Sequence, residues 1–485
     1  MNKRRIISGV LAGVMCATTV GVFSSCTGGS VGGAIHVAYA ETGYGSAFIE
    51  QWKEEFEELN PEATVVLEGL PTMTAEVENR LRTGTMVPDV FIVLETGWQK
   101  MATSGWLEPL NDVYEATAYT DDSGKDVTIM EFMNPGMRDY GKMLDGNYYA
   151  IPWTDNANGI IYNKTLFEKK DWEVPETFDE LVELCDTITA DGEVAPFAIL
   201  PGYGDYIAAT WWAQYEGPTN YRRFFDYENP NGYLQEGRVE AINAMSELFF
   251  DPYSEDLFSY KKNQVPGVSE HTDAQRAFGL QQAAMIVEGA HLEHEGANFL
   301  APDGEILFEY EMMPTPFLEN AVKDANGNYR NIFASQAGDF MCIPKKANNV
   351  AGAKEFLKFI NSKQGCESFT RSTNGAQRPF QYKASEVEGV NASGFMKSCQ
   401  RIYESSEIVY HYSTSYMNWT NKLGKWPGVG IPYSDLFEGK WAWGSEEGVL
   451  KTDSQGNVVP QGVTVCQIMY DYVDESWWRI YESVV

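Results

Sequence analysis

A short β-rich run at 34–40 (AIHVAYA) is followed by a Gly-containing turn at 41–45. Phe48, Trp52, Phe56 and Leu59 then recur three or four residues apart. That spacing gathers four apolar side chains on one helical face, so a helix is predicted over 46–59, stopped by Pro61. Runs at 64–67 (TVVL) and 89–93 (DVFIV) predict a second and a third strand. Strand, helix and strand joined by crossovers predict a parallel sheet covered by helices.

The pattern restarts after Pro152. A strand is predicted at 159–162 (GIIY). Thr177 and Glu180 stand at capping-box spacing, and the helix they open carries Phe178, Leu181, Val182, Cys185 and Ile188 on one side. Short strands are predicted at 197–200 and 283–287, and a strand at 340–343 leads into a helix at 351–360. No repeat of solenoid period is present. From Val409 the tail is rich in Trp, Tyr, Gly and Asp, with a hairpin turn predicted at 453–457.

The N-terminus reads as an address. Lys3, Arg4 and Arg5 precede an uncharged apolar run over 6–23, and no later apolar stretch is long enough to span a membrane. The run ends in Phe23-Ser24-Ser25-Cys26, which resembles a bacterial lipobox. Residues 1–25 are then a lipoprotein signal peptide. Cys26 becomes the lipidated N-terminus, held by two or more acyl chains of the palmitate kind, where one would not anchor stably. Residues 26–33 form a Gly/Ser tether. Its Gly28-Gly29-Ser30-Val31-Gly32 matches the nucleophile-elbow spelling, but that motif needs a strand before the Ser and a helix after it; here it is linker composition.

Charge and cysteines narrow the function classes. The 485 residues suggest two or three compact units, and 36 Lys+Arg against 69 Asp+Glu give a net charge of −33. Nucleic acid is excluded, because phosphate binding needs clustered cations, and so is a polybasic membrane patch. The seven Cys (16, 26, 185, 342, 366, 399 and 466) form no CxxC pair, which predicts buried free thiols rather than a disulfide framework or zinc ribbon. The segment Asp121-Asp122-Ser123-Gly124-Lys125-Asp126 lacks the EF-hand spacing and is read as a solvated turn. His291-Leu292-Glu293-His294-Glu295 brings two imidazoles together at a spacing that fits neither HExxH nor a zinc finger; it is read as a surface helix start, and no metal or cofactor is expected.

Several segments together resemble the extracellular solute-binding proteins of bacterial ABC importers, the group containing maltose-binding protein. They are Met86-Val87-Pro88-Asp89-Val90-Phe91 with Ser104-Gly105-Trp106-Leu107-Glu108-Pro109-Leu110, and Asp145-Gly146-Asn147-Tyr148-Tyr149-Ala150-Ile151-Pro152-Trp153 with Ile160-Ile161-Tyr162-Asn163-Lys164. Pro175-Glu176-Thr177-Phe178-Asp179-Glu180-Leu181, Ala283-Ala284-Met285 with Gly289, and Ala353-Lys354-Glu355-Phe356-Leu357-Lys358-Phe359-Ile360 complete the set. They appear in family order over roughly residues 34–380. The resemblance implies an α/β fold of two lobes joined by a hinge, of the type II periplasmic-binding-protein kind, with a ligand cleft between them. Lobe one takes 34–152 and 335–380. Lobe two takes 153–334, and 381–485 completes it with a C-terminal segment. The implied crossings lie near 152–156, near 334–338 and after Arg378.

The implied function is capture of a carbohydrate, of oligosaccharide size, and delivery to the permease subunits of an ABC transporter. The protein would be a monomer without enzymatic activity, outside the cytoplasm and tied to the cell membrane by its lipid alone. A sugar presents flat C–H patches and a rim of hydroxyls, so aromatic faces and polar groups are expected around it. By family position the candidates are Glu41, Thr42 and Tyr44 after the first strand, and Glu95 after the third. Trp153, Asp155 and Asn156 lie at the first crossing, with Tyr206, Trp211 and Trp212 beyond it. Glu288 and His291 follow Ala283-Ala284-Met285, and Arg378, which could hold a hydroxyl or an acidic sugar, lies near the last crossing. Family members that bind maltose-like sugars often carry Trp where His291 stands. Of the two adjacent Trp, one is expected to face ligand and the other to pack. Two alternatives stay open: a glycan-active hydrolase on an α/β scaffold, and the same binding fold with a non-sugar ligand.

Overall fold

The computed structural model describes residues 32–41, 43–94, 97–155, 157–226, 230–249, 262–296, 307–335 and 339–410, with Val463, Cys466, Gln467, Tyr470, Asp471 and Asp474. Cys26, Thr42, Glu95, Asn156 and the hairpin turn expected at 453–457 lie outside the described residues. Among the described residues the strands are, in order, β1 (Gly33–Ala40), β2 (Ala63–Leu70), β3 (Val90–Val93), β4 (Thr117–Thr120), β5 (Asp126–Thr128), β6 (Ile151–Pro152) and β7 (Asn158–Asn163). They continue with β8 (Ala195–Ala198), β9 (Ala283–Gly289), β10 (Tyr310–Met312), β11 (Ile332–Ser335), β12 (Phe340–Cys342) and β13 (Glu407–Tyr410).

Two main sheets result, ordered β2-β1-β3-β12-β6 and β10-β7-β9-β8, and each is the centre of one α/β lobe. The sheets are mixed, which corrects the all-parallel expectation. β1 runs parallel to β2 and β3, but β12 is antiparallel to β3 and to β6. In the second sheet β8 and β9 are parallel, while β7 is antiparallel to β9 and β10. The exceptions in the first sheet are the strands by which the chain changes lobes. β6 leaves the first sheet for β7 of the second, and β12 enters the first sheet from β11, so neither is bound by the right-handed crossover rule that aligns β1 to β3. β11 pairs in parallel with β13, which follows the helix Gly394–Ser405.

The expected helix over 46–59 forms at Ala47–Leu59 and buries Phe48, Ile49, Trp52 and Phe56, leaving Leu59 51% exposed at its last turn. The Trp52 Nε1–H donates to Gly365 O at 2.8 Å, at the start of the helix Lys363–Ser372. Gly365 is required there, because a Cβ would lie 2.4 Å from Phe359 O. The capping box at Thr177 is complete: Thr177 accepts from Glu180 N–H, and the Glu180 carboxylate accepts from Thr177 N–H. Its helix, Phe178–Asp191, buries Leu184 where Val182 was expected. Cys185, Cys342, Cys366, Cys399 and Cys466 are free and buried, as their spacing predicted. Asp121 closes the turn between β4 and β5 by accepting from Ser123 N–H at 2.9 Å and Lys125 N–H at 3.0 Å.

Arg378 is fully buried inside the first lobe. Its Nε donates to Trp153 O at 3.0 Å and its Nη2 to Asn361 Oδ1 at 2.8 Å, and its Nη1 donates to Ile360 O. The guanidinium lies over the Trp52 and Phe380 rings, 5.1 and 5.0 Å from their centroids. It ties the first crossing to the end of the helix Val350–Ile360, so its donors are not offered to an acidic sugar. Arg378→Ala should lower the unfolding free energy by about 3 kcal/mol, because several buried acceptors lose a charged partner together. Urea denaturation followed by Trp fluorescence measures this, and a change below about 1 kcal/mol would contradict the assignment.

Candidate ligand cleft

The lobes meet along a polar seam. From the first lobe comes the loop after β1, with Gly43 and Tyr44. From the second come the end of β9, with Glu288, and the short helix Leu292–Gly296. The Gly43 N–H donates to Glu295 Oε1 at 2.9 Å, and the Tyr44 ring lies 5.3 Å from the His294 ring. Glu295 Oε2 accepts from Gln275 Nε2 at 3.0 Å, so one carboxylate bridges both lobes. The expectation that 291–295 begins a surface helix is corrected: Leu292 is wholly buried and His294 packs between lobes, because the loop after β1 covers this turn.

Glu288 is fully buried, and its carboxylate accepts from the Gly289 N–H at 3.0 Å. His291 Nε2 lies 2.9 Å from Glu288 Oε1, and Gln275 Nε2 lies 3.4 Å from Glu288 Oε2. Gly289 lacks a Cβ for good reason, since one would fall 2.5 Å from Asn158 Oδ1 and 2.6 Å from the His291 ring. Burial by itself would lower the His291 pKa. The Glu288 carboxylate against it outweighs that, and with Glu295 and Asp339 nearby the group is pushed up to about 9. Beyond this pair, Tyr206 and Tyr203 stack with centroids 4.7 Å apart at 26°. The carboxylates of Glu288 and Glu295 act on both phenols, whose burial raises their pKa values.

Asp155, at the first crossing, is buried and collects donors from separate parts of the chain. Ser335 and Tyr403 donate to it, as do Tyr410 Oη at 2.6 Å and Asn134 Nδ2 at 3.4 Å. Burial raises its pKa to about 6 against the pull of those donors. Asp339, across the second crossing, accepts from Thr154 Oγ1 at 2.7 Å. A small hollow beside Asp155 is lined by Ala157, Ala290, Gly375, Gln377 and Tyr403, among others.

The structure therefore separates the predicted residues. Tyr44, Glu288, His291 and Tyr206 converge on the seam. Glu41 is exposed at the end of β1. Asp155 fastens the hinge. Trp153 is buried in the first core, stacked on Phe48 at 5.3 Å and 21°, with its Nε1–H on Val93 O at 3.0 Å. Neither adjacent Trp lies at the seam: Trp211 donates to Pro316 O at 2.8 Å, and Trp212 packs against Tyr221 and Phe224 and donates to Gln235. Both fall on faces of the helix Asp205–Asp226 that neighbouring elements cover, so neither turns toward a ligand. Sequence reasoning missed Tyr203, Gln275, His294, Glu295 and Asp339. The doubled His and Glu at 291–295 was a visible signal, read instead as a surface helix start.

Two α/β lobes with a polar cleft at their shared hinge define the class of two-lobed solute receptors. Residues 39–365 match the family described as bacterial extracellular solute-binding protein, and the chain belongs to that family. It is 26% identical over 280 residues to the diacetylchitobiose-binding protein NgcE of Streptomyces coelicolor, a match covering 55% of this chain and 52% of that one. It is 31% identical over 146 residues to the multiple sugar-binding protein of Streptococcus mutans, covering 30% and 31% of the two chains. The first of these matches thus spans about half of the curated relative, and the second about a third. Among solved structures, the GacH receptor of Streptomyces glaucescens superposes with a TM-score of 0.62 at 16% identity, covering 92% of this chain and 98% of that one. The solute receptor AcbH superposes with a TM-score of 0.60 at 16% identity, covering 92% and 99%. These two likenesses establish the fold. Among the described residues no helix is long and apolar enough to cross a membrane.

The Glu288–His291 pair gives a pH signature. A His whose folded pKa is raised stabilises fully below its unfolded value near 6.5, and that stabilisation is lost as the pH rises through about 9. The wild type should therefore lose up to about 3 kcal/mol between pH 7 and 10. His291→Gln should be less stable at pH 7 and show a flatter profile, read as Tm against pH. Parallel profiles would show that the pair does not couple in this way.

Proposed function

We propose that the protein captures a carbohydrate between its lobes and presents it to the permease of an ABC importer. In this reading it is a monomer held at the outer face of the cell membrane by lipid on Cys26. The observation that carries it is the seam itself: one stacked Tyr pair beside a dense set of polar groups drawn from both lobes. A tyrosine face takes a flat C–H patch of a sugar, and the carboxylates and amides around it take hydroxyls. The family supports solute capture outside the cytoplasm, and relatives named for diacetylchitobiose and multiple sugars support the ligand class. The pair of small residues Ser24 and Ser25 before Cys26 supports the anchor.

A binding role also accounts for the carboxylates better than hydrolysis does. Glycoside cleavage asks for two carboxyl groups free to flank one bond. Here both oxygens of Glu288 and both of Glu295 already accept hydrogen bonds from Gly289, Gln275, Gly43 or His291.

The purified protein should show a raised Tm with one or more of maltotriose, raffinose and N,N′-diacetylchitobiose. At a hundredfold excess over Kd the stabilisation is about 2.7 kcal/mol. The same incubations should release no new reducing ends. Release of reducing ends would turn the reading to hydrolysis, and a flat response to a broad neutral-glycan panel would remove the carbohydrate assignment.

A further inference from the structure

Four buried polar atoms near the seam have no hydrogen-bond partner in the protein: Tyr44 Oη, His294 Nε2, Gln275 Oε1 and Asn158 Oδ1. Buried polar groups are normally paired, and each orphan costs the protein stability. An orphan kept at an interface between lobes points to a partner that arrives from outside. Tyr44 is 5% exposed, and Gln275 and Asn158 are 0% and 4% exposed. Their places are fixed by other bonds. Gln275 is oriented by Glu288 and Glu295, which take its Nε2–H groups. Asn158 Oδ1 stands over Gly289, where a Cβ would be only 2.5 Å away. The His294 ring is held by a hydrogen bond with the Thr373 backbone, and burial keeps its imidazole neutral.

The chemistry of the orphans is one-sided. An amide oxygen only accepts. Imidazole Nε2, with the ring bonded to a backbone carbonyl through its other nitrogen, also accepts. A phenol can donate or accept. Carboxylates surround them: Asp155, Glu295 and Asp339 all act on Tyr44. Among the described residues, the cation at the seam, His291, is committed to Glu288, and Arg378 is enclosed in the first lobe.

We propose that Tyr44, His294, Gln275 and Asn158 form a subsite that reads hydrogen-bond donors on the ligand, accepting hydroxyl or N–H groups and rejecting carboxylates, so that neutral or amino sugars bind and acidic sugars do not. This rests on the carbohydrate reading above and gives it a charge class. A uronate placed here would meet three acceptors and three carboxylates, with no free cation among the described residues. A hydroxyl suits either kind of orphan, since it can donate to an acceptor such as His294 Nε2 and accept from Tyr44 Oη. Because Tyr44 belongs to one lobe and His294 to the other, a single ligand group bonded to both also holds the lobes together.

Calorimetric titration of the wild type, Tyr44→Phe and His294→Phe tests this with maltotriose, raffinose, N,N′-diacetylchitobiose, its fully deacetylated diamine and trigalacturonic acid. The wild type should bind at least one neutral sugar or the diamine, and should not bind trigalacturonic acid. Binding of the diamine alone would assign the donors to ammonium, and binding of the neutral sugars to hydroxyl or amide N–H. Tyr44→Phe should weaken that binding roughly tenfold, the worth of one buried hydrogen bond. Without ligand, Tyr44→Phe should melt no lower than the wild type, because it removes an unpaired buried group; His294→Phe serves as the second variant for affinity. The subsite is overturned by tight binding of trigalacturonic acid, by unchanged affinity in both variants, or by a clearly lower ligand-free Tm for Tyr44→Phe. A wild type that binds none of the sugars overturns the carbohydrate reading instead, and the ligand-free melting comparison then decides the subsite alone.

Discussion

The hinge depends on a single buried carboxylate. Asp155 sits where the chain first changes lobes, and its oxygens draw Ser335 from the second crossing, Tyr403 and Tyr410 from the returning segment, and Asn134 from the first lobe. Four donors onto one carboxyl are what make its burial tolerable, since an unpaired buried charge is among the costliest groups a protein can hold. The bonds also give direction to the join. Strands β11 and β13 lie parallel beside the carboxylate, so the connections that carry the chain between lobes are cross-linked at one point instead of being free tethers.

Around that point the two lobes are kept rigid by different aromatic cores. In the first, Phe48, Trp52, Trp153 and Phe369 pack edge and face, with Arg378 laid over Trp52. In the second, Trp212 is enclosed by Tyr221, Phe224 and Phe225, and Arg238 lies over its ring. Rings held this way have little freedom, which is the rigidity that closure about a hinge requires of its lobes. Much of the chain's aromatic content is spent on this rigidity. The stacked Tyr203 and Tyr206 are the aromatic pair left partly exposed beside the seam.

The seam then works through acceptors. There Gln275 Oε1, Asn158 Oδ1 and His294 Nε2 lack donors, beside the paired carboxylates of Glu288 and Glu295. In the proposed reading such a surface favours a guest rich in hydroxyl or N–H groups, which is differential stabilisation of the occupied form. The link from Gly43 to Glu295 shows that the lobes can also touch directly, through one backbone donor.

Elements with a strong local pattern were legible from the sequence: the helix stripe of Phe48, Trp52 and Phe56, the capping box of Thr177 and Glu180, and the strands at 34–40 and 283–287. These are set by side-chain periodicity and by hydrogen bonds between near neighbours, which one chain segment carries alone. Tyr44, Tyr206, Glu288 and His291, named as candidates from the family resemblance, do lie at the seam. What remained for the tertiary structure was the use of each group. Trp153, Trp211 and Arg378 belong to cores, Asp155 to the hinge, and His294 and Glu295 to the seam, because their partners lie tens to hundreds of residues away in the chain. Distance along the sequence says nothing about which face such a residue meets, and only the packing of two finished lobes against one another decides it.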